Sequence, residues 1–234
     1  MNLSDINALV TGGSSGIGKA TAQSITEAGG KVVIAARNKE KLKASAAEIG
    51  AIPIQCDVRK ENEVIDLVEE TTKQLDNYNV LINNAGYGTF SRLVNLSATD
   101  LESQLRTNTI GAMMVARETA RYFIQQSYGN IINVSSSAGK KGFEGGTAYV
   151  ASKFALSGMT ECWRSELRPH NIRVMQINPS EVQTEFSENA GRGSRAFNET
   201  KLIAEDIGQT IVSMLALPDR GFITETSVWA TNPK

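Results

Sequence analysis

The sequence predicts an α/β fold, namely a doubly wound, mainly parallel seven-stranded sheet with helices on both faces. Short apolar segments alternate with amphipathic helical patterns almost to the end of the chain. Such repeated strand–helix–strand units imply parallel strands covered by helices. The length of 234 residues suits one large domain. No linker or internal repeat interrupts the pattern, so we expect a single domain over residues 1–234.

Seven segments are predicted as strands, and the first six are mostly apolar, as strands buried on both faces are. They are Asn7–Thr11, Lys31–Ala35, Ile52–Cys56, Val80–Asn83, Asn130–Val134, Arg173–Ile177 and Ile223–Val228. Apolar residues three and four apart predict the intervening helices. These are Ile17–Ala28, Glu40–Ile49, Glu61–Leu75, Asp100–Gln126, Tyr149–Leu167 and Ala204–Leu217.

One connection, Ser180–Glu199, is longer than an ordinary loop and contains Gly191 and Gly193. Connections of this length inside a compact domain are usually functional. We expect a lid over a binding site.

Composition narrows the function class. A formal net charge of −1 gives no basic field for nucleic acid. Cys56 and Cys162 lie far apart, so neither a zinc site nor a disulfide framework is indicated, and a reducing compartment is expected. The N-terminus lacks the pattern of a signal peptide, and no apolar stretch approaches the ~20 residues of a membrane span. We therefore expect a soluble, cytoplasmic protein without metal or membrane partner.

A glycine cluster with the spacing Gly-x3-Gly-x-Gly follows the first predicted strand and opens the first helix. Glycines allow a tight turn and a close approach of backbone to phosphate, and the helix N-terminus offers N–H groups and a positive dipole end. A plain glycine-rich turn is the alternative. The position of the cluster favours a nucleotide-binding turn over a plain one, because nucleotides bind at the first β-α turn of a Rossmann-type sheet.

The second strand ends in Ala36-Arg37-Asn38. A site that prefers NAD places a carboxylate near this point to bind the ribose 2′-hydroxyl. An arginine instead presents a planar fork to the 2′-phosphate of NADP. A solvated arginine at a helix start is the alternative, but together with the glycine turn Arg37 favours NADP(H).

Tyr149 and Lys153 stand four residues apart at the start of a predicted helix and therefore share one face. An ammonium favours the phenolate, which lowers the high pKa of the phenol and makes the pair chemically suited to acid/base work. Such pairs are also common on surface helices. Ser135, Ser136 and Ser137 close the fifth strand at the carboxyl edge of the sheet, where strand alternation allows only one face's serines to point inward.

The chain resembles the classical short-chain dehydrogenase/reductase family over nearly its whole length. Thr11–Gly18 resembles the cofactor turn of that family, Asn83-Asn84-Ala85-Gly86 its motif after strand four, and Tyr149-x3-Lys153 its active-site motif. The resemblance implies a catalytic set in which Tyr149 exchanges the proton, Lys153 supports its ionisation, and serine and tyrosine bind the carbonyl oxygen. Asn108 would hold a water that links Lys153 to solvent. The implied catalytic residues are Asn108, Ser136, Tyr149 and Lys153.

The same resemblance implies a cofactor site for NADP(H) along the carboxyl edge of the sheet. Ser180 stands where the family usually has glycine, so the local loop geometry is in doubt there. The implied cofactor-binding residues are Gly12, Ser14, Ser15, Gly16, Ile17, Gly18, Arg37, Asn38, Asp57, Val58, Asn84, Ala85, Gly86, Tyr149, Lys153, Pro179, Val182 and Thr184.

The predicted function is an NADP(H)-dependent oxidoreductase that transfers hydride between nicotinamide and a carbonyl or secondary alcohol. The substrate could be a ketone, a hydroxy acid or a 3-oxoacyl compound, with Phe143, Phe186 and Phe197 as candidate pocket walls or as loop anchors. A C-terminus without Asp-Gly-Gly argues mildly against a 3-oxoacyl-carrier reductase. Two rival hypotheses, a nonenzymatic NADP(H) sensor and a protein scaffold, leave the catalytic set unexplained. The resemblance also implies a homotetramer formed through Asp100–Gln126 and Tyr149–Leu167.

Overall fold

The computed structural model describes residues 1–186, 190–191, 193 and 196–233. Seven strands form one all-parallel sheet in the order β3-β2-β1-β4-β5-β6-β9. The predicted doubly wound fold is thereby confirmed. The strands of this sheet are β1 Asn7–Thr11, β2 Lys31–Ala36, β3 Ile52–Gln55, β4 Val80–Asn83, β5 Gly129–Val134, β6 Ile172–Pro179 and β9 Glu225–Val228.

Helices cover both faces of the sheet. They are α1 Gly16–Glu27, α2 Lys39–Ile49, α3 Glu61–Gln74, α4 Ala98–Leu105, α5 Ala112–Gln126, α6 Thr147–Leu167 and α7 Ala204–Ala216. Alternation along β1 shows how the core divides: Ala8 and Val10 pack with α1, α2 and α7, whereas Leu9 packs with α3 and α5 on the other face. Each face therefore has its own buried cluster. No helix in the described ranges is both long and apolar enough to cross a membrane.

Two features differ from the predicted elements. The helix predicted over Asp100–Gln126 is interrupted by a π-helical segment, Arg106–Gly111, between α4 and α5. The backbone is right-handed helical at Leu105 and Ala112 on either side of this segment, so the chain passes through it without a break that the sequence could show.

A second, two-stranded parallel sheet pairs β7 Val182–Gln183 with β8 Leu202–Ile203. It lies partly inside the stretch predicted as the lid loop Ser180–Glu199. Strands of two residues carry no alternation that the sequence could show. Residues 187–189, 192, 194 and 195 of that predicted lid lie outside the described residues, so the lid remains a prediction.

Candidate active site

A cleft of about 1230 Å³ runs along the carboxyl ends of β1, β2, β4, β5 and β6. The strand order reverses between β1 and β4, and open α/β sheets bind ligands in the crevice beside such a switch point. Most residues predicted for the cofactor line this cleft, as do three of the four predicted catalytic residues. The predicted residues in the lining are Gly12, Ser14, Ser15, Gly16, Ile17, Arg37, Asn38, Asp57, Val58, Asn84, Ala85, Gly86, Ser136, Tyr149, Lys153, Pro179, Val182 and Thr184.

Gly18, although predicted as a cofactor contact, is buried beneath the turn rather than part of the lining. A Cβ on this residue would come within 2.3 Å of the Gly12 carbonyl oxygen and 2.5 Å of Asn84 Nδ2. Gly12 itself has φ +66°, a conformation that disfavours other residues. Both glycines therefore let α1 start close against the loop, with its N-terminus beside the cleft.

The loops after β1 and β4 are joined by hydrogen bonds. Thr11, fully buried, accepts through Oγ1 from the backbone N–H groups of Asn84 and Ala85, both at 3.0 Å. Asn84 Nδ2 donates back to the Thr11 carbonyl at 2.9 Å. Thr11 begins the glycine motif, but no role was predicted for its hydroxyl, because a threonine at the end of a strand is ordinary β-sheet composition. Its hydroxyl fixes the distance between the two loops that form this part of the cleft.

The end of β2 presents Arg37 to the cleft with its side chain exposed. Asn38 caps α2, since its Oδ1 accepts from the Lys41 backbone N–H at 2.9 Å. Lys41 also lines the cleft and forms an ion pair with Glu185, which follows β7. This end of the cleft therefore carries two cations, one of them paired across the opening.

Asp57, on the loop after β3, is held by the guanidinium of Arg59. Arg59 donates to both carboxylate oxygens, with Nη2 at 2.5 Å from Oδ2. This hydrogen bonding, together with the nearby charges of Arg59 and Arg37, keeps the pKa of Asp57 below its usual value. Arg59 was not predicted, and no motif marks it. Its effect is to keep Asp57, one of the residues predicted to bind the cofactor, ionised and fixed in position.

Ser136 differs from its expected setting. β5 ends at Val134, so the three serines follow the strand, and Ser136 begins a short 3-10 helix, Ser137–Gly139. Its Oγ accepts from the Ala138 backbone N–H at 3.1 Å, and its side chain lines the cleft. Ser135 is buried, and its Oγ has no hydrogen-bond partner within the described part of the chain. A Cβ on Gly139 would come within 2.6 Å of that oxygen. Capping of the 3-10 helix, rather than strand alternation, sets the direction of Ser136.

Tyr149 and Lys153 lie one turn apart on α6, as predicted, with Lys153 Nζ 5.8 Å from the centre of the tyrosine ring. Lys153 is almost completely buried and donates to the Val134 carbonyl at 2.9 Å. Burial penalises the charged amine and lowers the pKa of Lys153 from 10.5 to about 8. The half-buried tyrosine thus has a desolvated amine beside it.

Asn108 lies in the π-helical segment and is buried outside the lining of the cleft. Its Oδ1 accepts from the Tyr87 backbone N–H at 3.1 Å, while Nδ2 donates to the Tyr87 carbonyl at 2.9 Å and to Ser152 Oγ at 3.0 Å. The side chain therefore ties the loop after β4 to α6 immediately beside Lys153. Neither Tyr87 nor Ser152 was predicted from the sequence. π-Helical turns occur often at functional sites.

Comparison with known proteins gives one consistent result. A family profile described as short chain dehydrogenase matches residues 7–194. The chain is 39% identical over 180 residues to a human 3-oxoacyl-[acyl-carrier-protein] reductase, covering 76% of each chain. It is 32% identical to an NADP-dependent 3-hydroxy acid dehydrogenase of Schizosaccharomyces pombe, covering 96% of this chain and 92% of that one.

Solved structures agree on the fold. A serine dehydrogenase complexed with NADP+ superposes with a TM-score of 0.88 at 26% identity, covering 94% of this chain and 93% of that one. An alcohol dehydrogenase from Thermococcus sibiricus reaches the same TM-score of 0.88 at 22% identity, over 97% and 98% of the two chains. That second likeness concerns the fold alone.

The lowered pKa of Lys153 predicts a pH-dependent stability difference. Between pH 8 and 10.5 the unfolded chain keeps the lysine proton that the folded chain has lost, so raising the pH favours folding. The unfolding free energy of the wild type should therefore rise relative to that of Lys153→Met by roughly 3 kcal/mol over this range. Urea unfolding of both proteins at several pH values measures the difference in unfolding free energy. The contributions of titratable groups that both proteins share cancel in this difference.

The exposed Lys43 provides the control, since Lys43→Met should follow the wild type at every pH. A difference between wild type and Lys153→Met that stays constant from pH 8 to 10.5 would contradict the assignment of a desolvated amine to Lys153.

Proposed function

The chain belongs to the short-chain dehydrogenase/reductase family of oxidoreductases, and on this premise we propose that it uses NADP(H) to interconvert a carbonyl compound and its secondary alcohol. The observation that carries the proposal is the meeting of Ser136, Tyr149 and Lys153 in one cleft with the N-terminus of α1. The proposal treats residues 1–234 as a single NAD(P)-binding domain. It places the protein in the cytoplasm, which the free cysteines Cys56 and Cys162 support.

Two features of the cleft fit a dinucleotide, one at the pyrophosphate and one at the 2′-phosphate. The turn at Gly12 and Gly18 brings the N-terminus of α1 to the cleft, where free N–H groups and the helix dipole suit a pyrophosphate. Arg37, rather than a carboxylate, follows β2, which suits a 2′-phosphate. Asp57 with Val58 would face the adenine, and Val182 with Thr184 the nicotinamide carboxamide.

The mechanism assigns one task to each side chain. When bound, the nicotinamide supplies the hydride. Ser136 Oγ and the Tyr149 hydroxyl donate hydrogen bonds to the substrate oxygen as negative charge develops on it. Tyr149 transfers its proton to that oxygen, and the Lys153 ammonium beside it favours the resulting phenolate. Asn108 holds the Tyr87 loop against Ser152 and so keeps Lys153 in place.

A nonenzymatic sensor or a scaffold has less support. Binding of a nucleotide needs the glycine turn and the arginine, but it does not need a lysine buried beside a tyrosine. Burying an amine costs free energy, and groups with shifted pKa values concentrate where chemistry uses them.

Removal of the phenolic oxygen tests the acid/base assignment. Tyr149→Phe should lower turnover by ~10²–10⁴ with NADPH affinity almost unchanged, because only the proton donor is lost. Ser136→Ala should reduce turnover and spare the affinity, whereas Lys153→Met should reduce both. Steady-state rates on any accepted carbonyl, paired with NADPH binding by fluorescence, measure the effects. Tyr128→Phe makes the same change outside the cleft and should behave as wild type. Near-normal turnover of Tyr149→Phe would overturn the mechanism.

Substitution at the end of β2 tests the cofactor preference. Arg37→Ala should weaken NADPH binding about tenfold or more and change NADH binding little, because a charge-assisted contact to the 2′-phosphate is lost. Adding Ala36→Asp should shift the preference toward NADH. Dissociation constants of both cofactors provide the readout. Lys39→Ala removes an exposed cation from the same helix start without touching the cleft, and it should leave the preference unchanged. Unaltered NADPH affinity in Arg37→Ala would refute NADP specificity.

We further propose a homotetramer formed through α4, α5 and α6. Ile110, in the π-helical segment between α4 and α5, and Phe154, on α6, are 36% and 46% exposed, as expected of residues that a partner covers. Other large side chains on these helices face inward: Met114 belongs to the buried core, and Met113, Tyr122 and Trp163 pack against that same cluster. Light scattering at micromolar concentration should give the mass of four chains, and Phe154→Glu should lower it. Wild type that is entirely monomeric would contradict the assembly.

A further inference from the structure

Four aromatic rings meet at the end of the cleft where Tyr149 stands. The ring of Tyr149 lies 5.6 Å from that of Phe90 and 5.5 Å from that of Phe186, measured between centroids. Phe90 and Phe186 are 6.4 Å apart, and Phe143 lies 5.9 Å beyond Phe90. We call Phe90, Phe143 and Phe186, together with Tyr149, the aromatic cage. All four line the cleft, and each keeps part of its ring accessible.

The rings come from distant parts of the chain. Phe90 follows β4, Phe143 lies before α6, and Phe186 follows β7. Two of them were considered in the sequence as pocket walls, whereas Phe90 was not. The third candidate wall, Phe197, is 71% exposed and is not one of the described residues that line the cleft. The cage is thus an arrangement of the folded chain, with no local sequence pattern behind it.

Two glycines leave the space that these rings occupy. A Cβ on Gly88 would come within 2.7 Å of Phe186 and 2.8 Å of Phe90, in both cases at ring carbons. A Cβ on Gly146 would come within 2.7 Å of the Phe143 ring. Neither glycine has a positive φ, so the backbone conformation does not require glycine at either position. A side chain at either position would instead take the space that the rings occupy. The rings therefore pack directly against the backbone at Gly88 and Gly146.

Two cations near the cage among the described residues are paired with carboxylates. Arg92, two residues after Phe90, pairs with Glu144 at 2.8 Å, and Lys140 pairs with Glu225 at 2.6 Å. Among the described residues of the cleft lining, the cations are Arg37, Lys41 and Lys153. The first two stand at the end of β2 and the start of α2, and the third lies buried behind Tyr149. A substrate carboxylate at the cage would therefore meet aromatic carbon and lose its hydration without an ionic partner from the described lining.

We propose that the substrate is an aryl ketone or aryl aldehyde, whose aromatic group lies against Phe90 and Phe186 while its carbonyl oxygen faces Ser136 and Tyr149. This inference rests on the proposed function and names its substrate class. Aromatic groups prefer offset or edge-to-face contact at centroid distances of about 4.5–7 Å, and half-buried rings offer such faces. A saturated ring of similar volume fills the same space but lacks the complementary ring quadrupole.

A matched panel of ketones tests the substrate class with the whole enzyme and NADPH. Acetophenone and cyclohexyl methyl ketone differ chiefly in the aromaticity of the ring, and acetoacetate supplies a carboxylate. We expect kcat/KM for acetophenone to exceed that for the cyclohexyl compound about tenfold, with acetoacetate the poorest substrate.

Leucine variants then locate the preference. Phe90→Leu and Phe186→Leu keep apolar bulk, and each should lower the acetophenone-to-cyclohexyl ratio about 2- to 10-fold. Gly88→Ala, which displaces both rings, should do the same. Phe197→Leu makes the same exchange outside the cleft and should leave the ratio unchanged. Because the readout is a ratio of two substrates on one protein, a general loss of folded enzyme does not alter it.

Binding provides a readout that is independent of turnover. Calorimetry on Tyr149→Phe should give tighter binding of acetophenone than of cyclohexyl methyl ketone, and Phe186→Leu added to that protein should remove the difference. Equal kcat/KM values for the two ketones, a preference for acetoacetate, or a ratio unaffected by the leucine variants would overturn the aryl assignment while leaving the proposed function intact. Absence of NADPH-dependent turnover on every carbonyl tested would overturn the proposed function, and the aryl assignment with it.

Discussion

The cleft depends on the hydrogen bonds that join the loop after β1 to the loop after β4. These two strands are neighbours in the sheet, but their connections leave in opposite directions, so their carboxyl ends open a crevice. Backbone groups exposed in this crevice must find partners, and Thr11 and Asn84 provide them from both sides. The glycine turn, the N-terminus of α1 and the loop toward Tyr87 all start from this junction. Its rigidity fixes their relative positions before any ligand arrives.

Lys153 shows a second constraint, in which stability is given up for a chemical property. An amine this deeply buried with one carbonyl partner destabilises the folded chain at neutral pH. The surrounding sheet is apolar on both faces, with a separate buried cluster on each, and can tolerate the loss. A surface lysine one turn from Tyr149 would cost less, but water would weaken its effect on the phenol.

The fold could be predicted because its main signals are local. Buried parallel strands require apolar segments, and the helices between them require an apolar stripe, so both can be recognised along the chain. What could not be predicted depends on distant contacts. The π-helical turn at Arg106–Gly111 has right-handed helical backbone on both sides, and the two-residue strands Val182–Gln183 and Leu202–Ile203 exist only through their pairing.

The positions of the candidate site residues were predictable to a similar degree. Motif residues lie along the cleft because a glycine turn, a strand end and a helix start each have a defined place in a doubly wound sheet. Their supporting partners were not predictable, since Thr11, Arg59 and Ser152 are ordinary residues until the fold brings them beside Asn84, Asp57 and Asn108. Ser136 lies in the cleft as expected, but its direction is set by a cap and not by strand alternation.

The ion pair between Lys41 and Glu185 joins two sides of the cleft at the surface of the protein. It links the start of α2 to the segment after β7, and both side chains are about half exposed. Exposed pairs of this kind contribute at most about 1 kcal/mol and weaken as salt screens them. The ion pair therefore contributes little to holding these two sides of the cleft together, and that contribution falls further as the ionic strength rises.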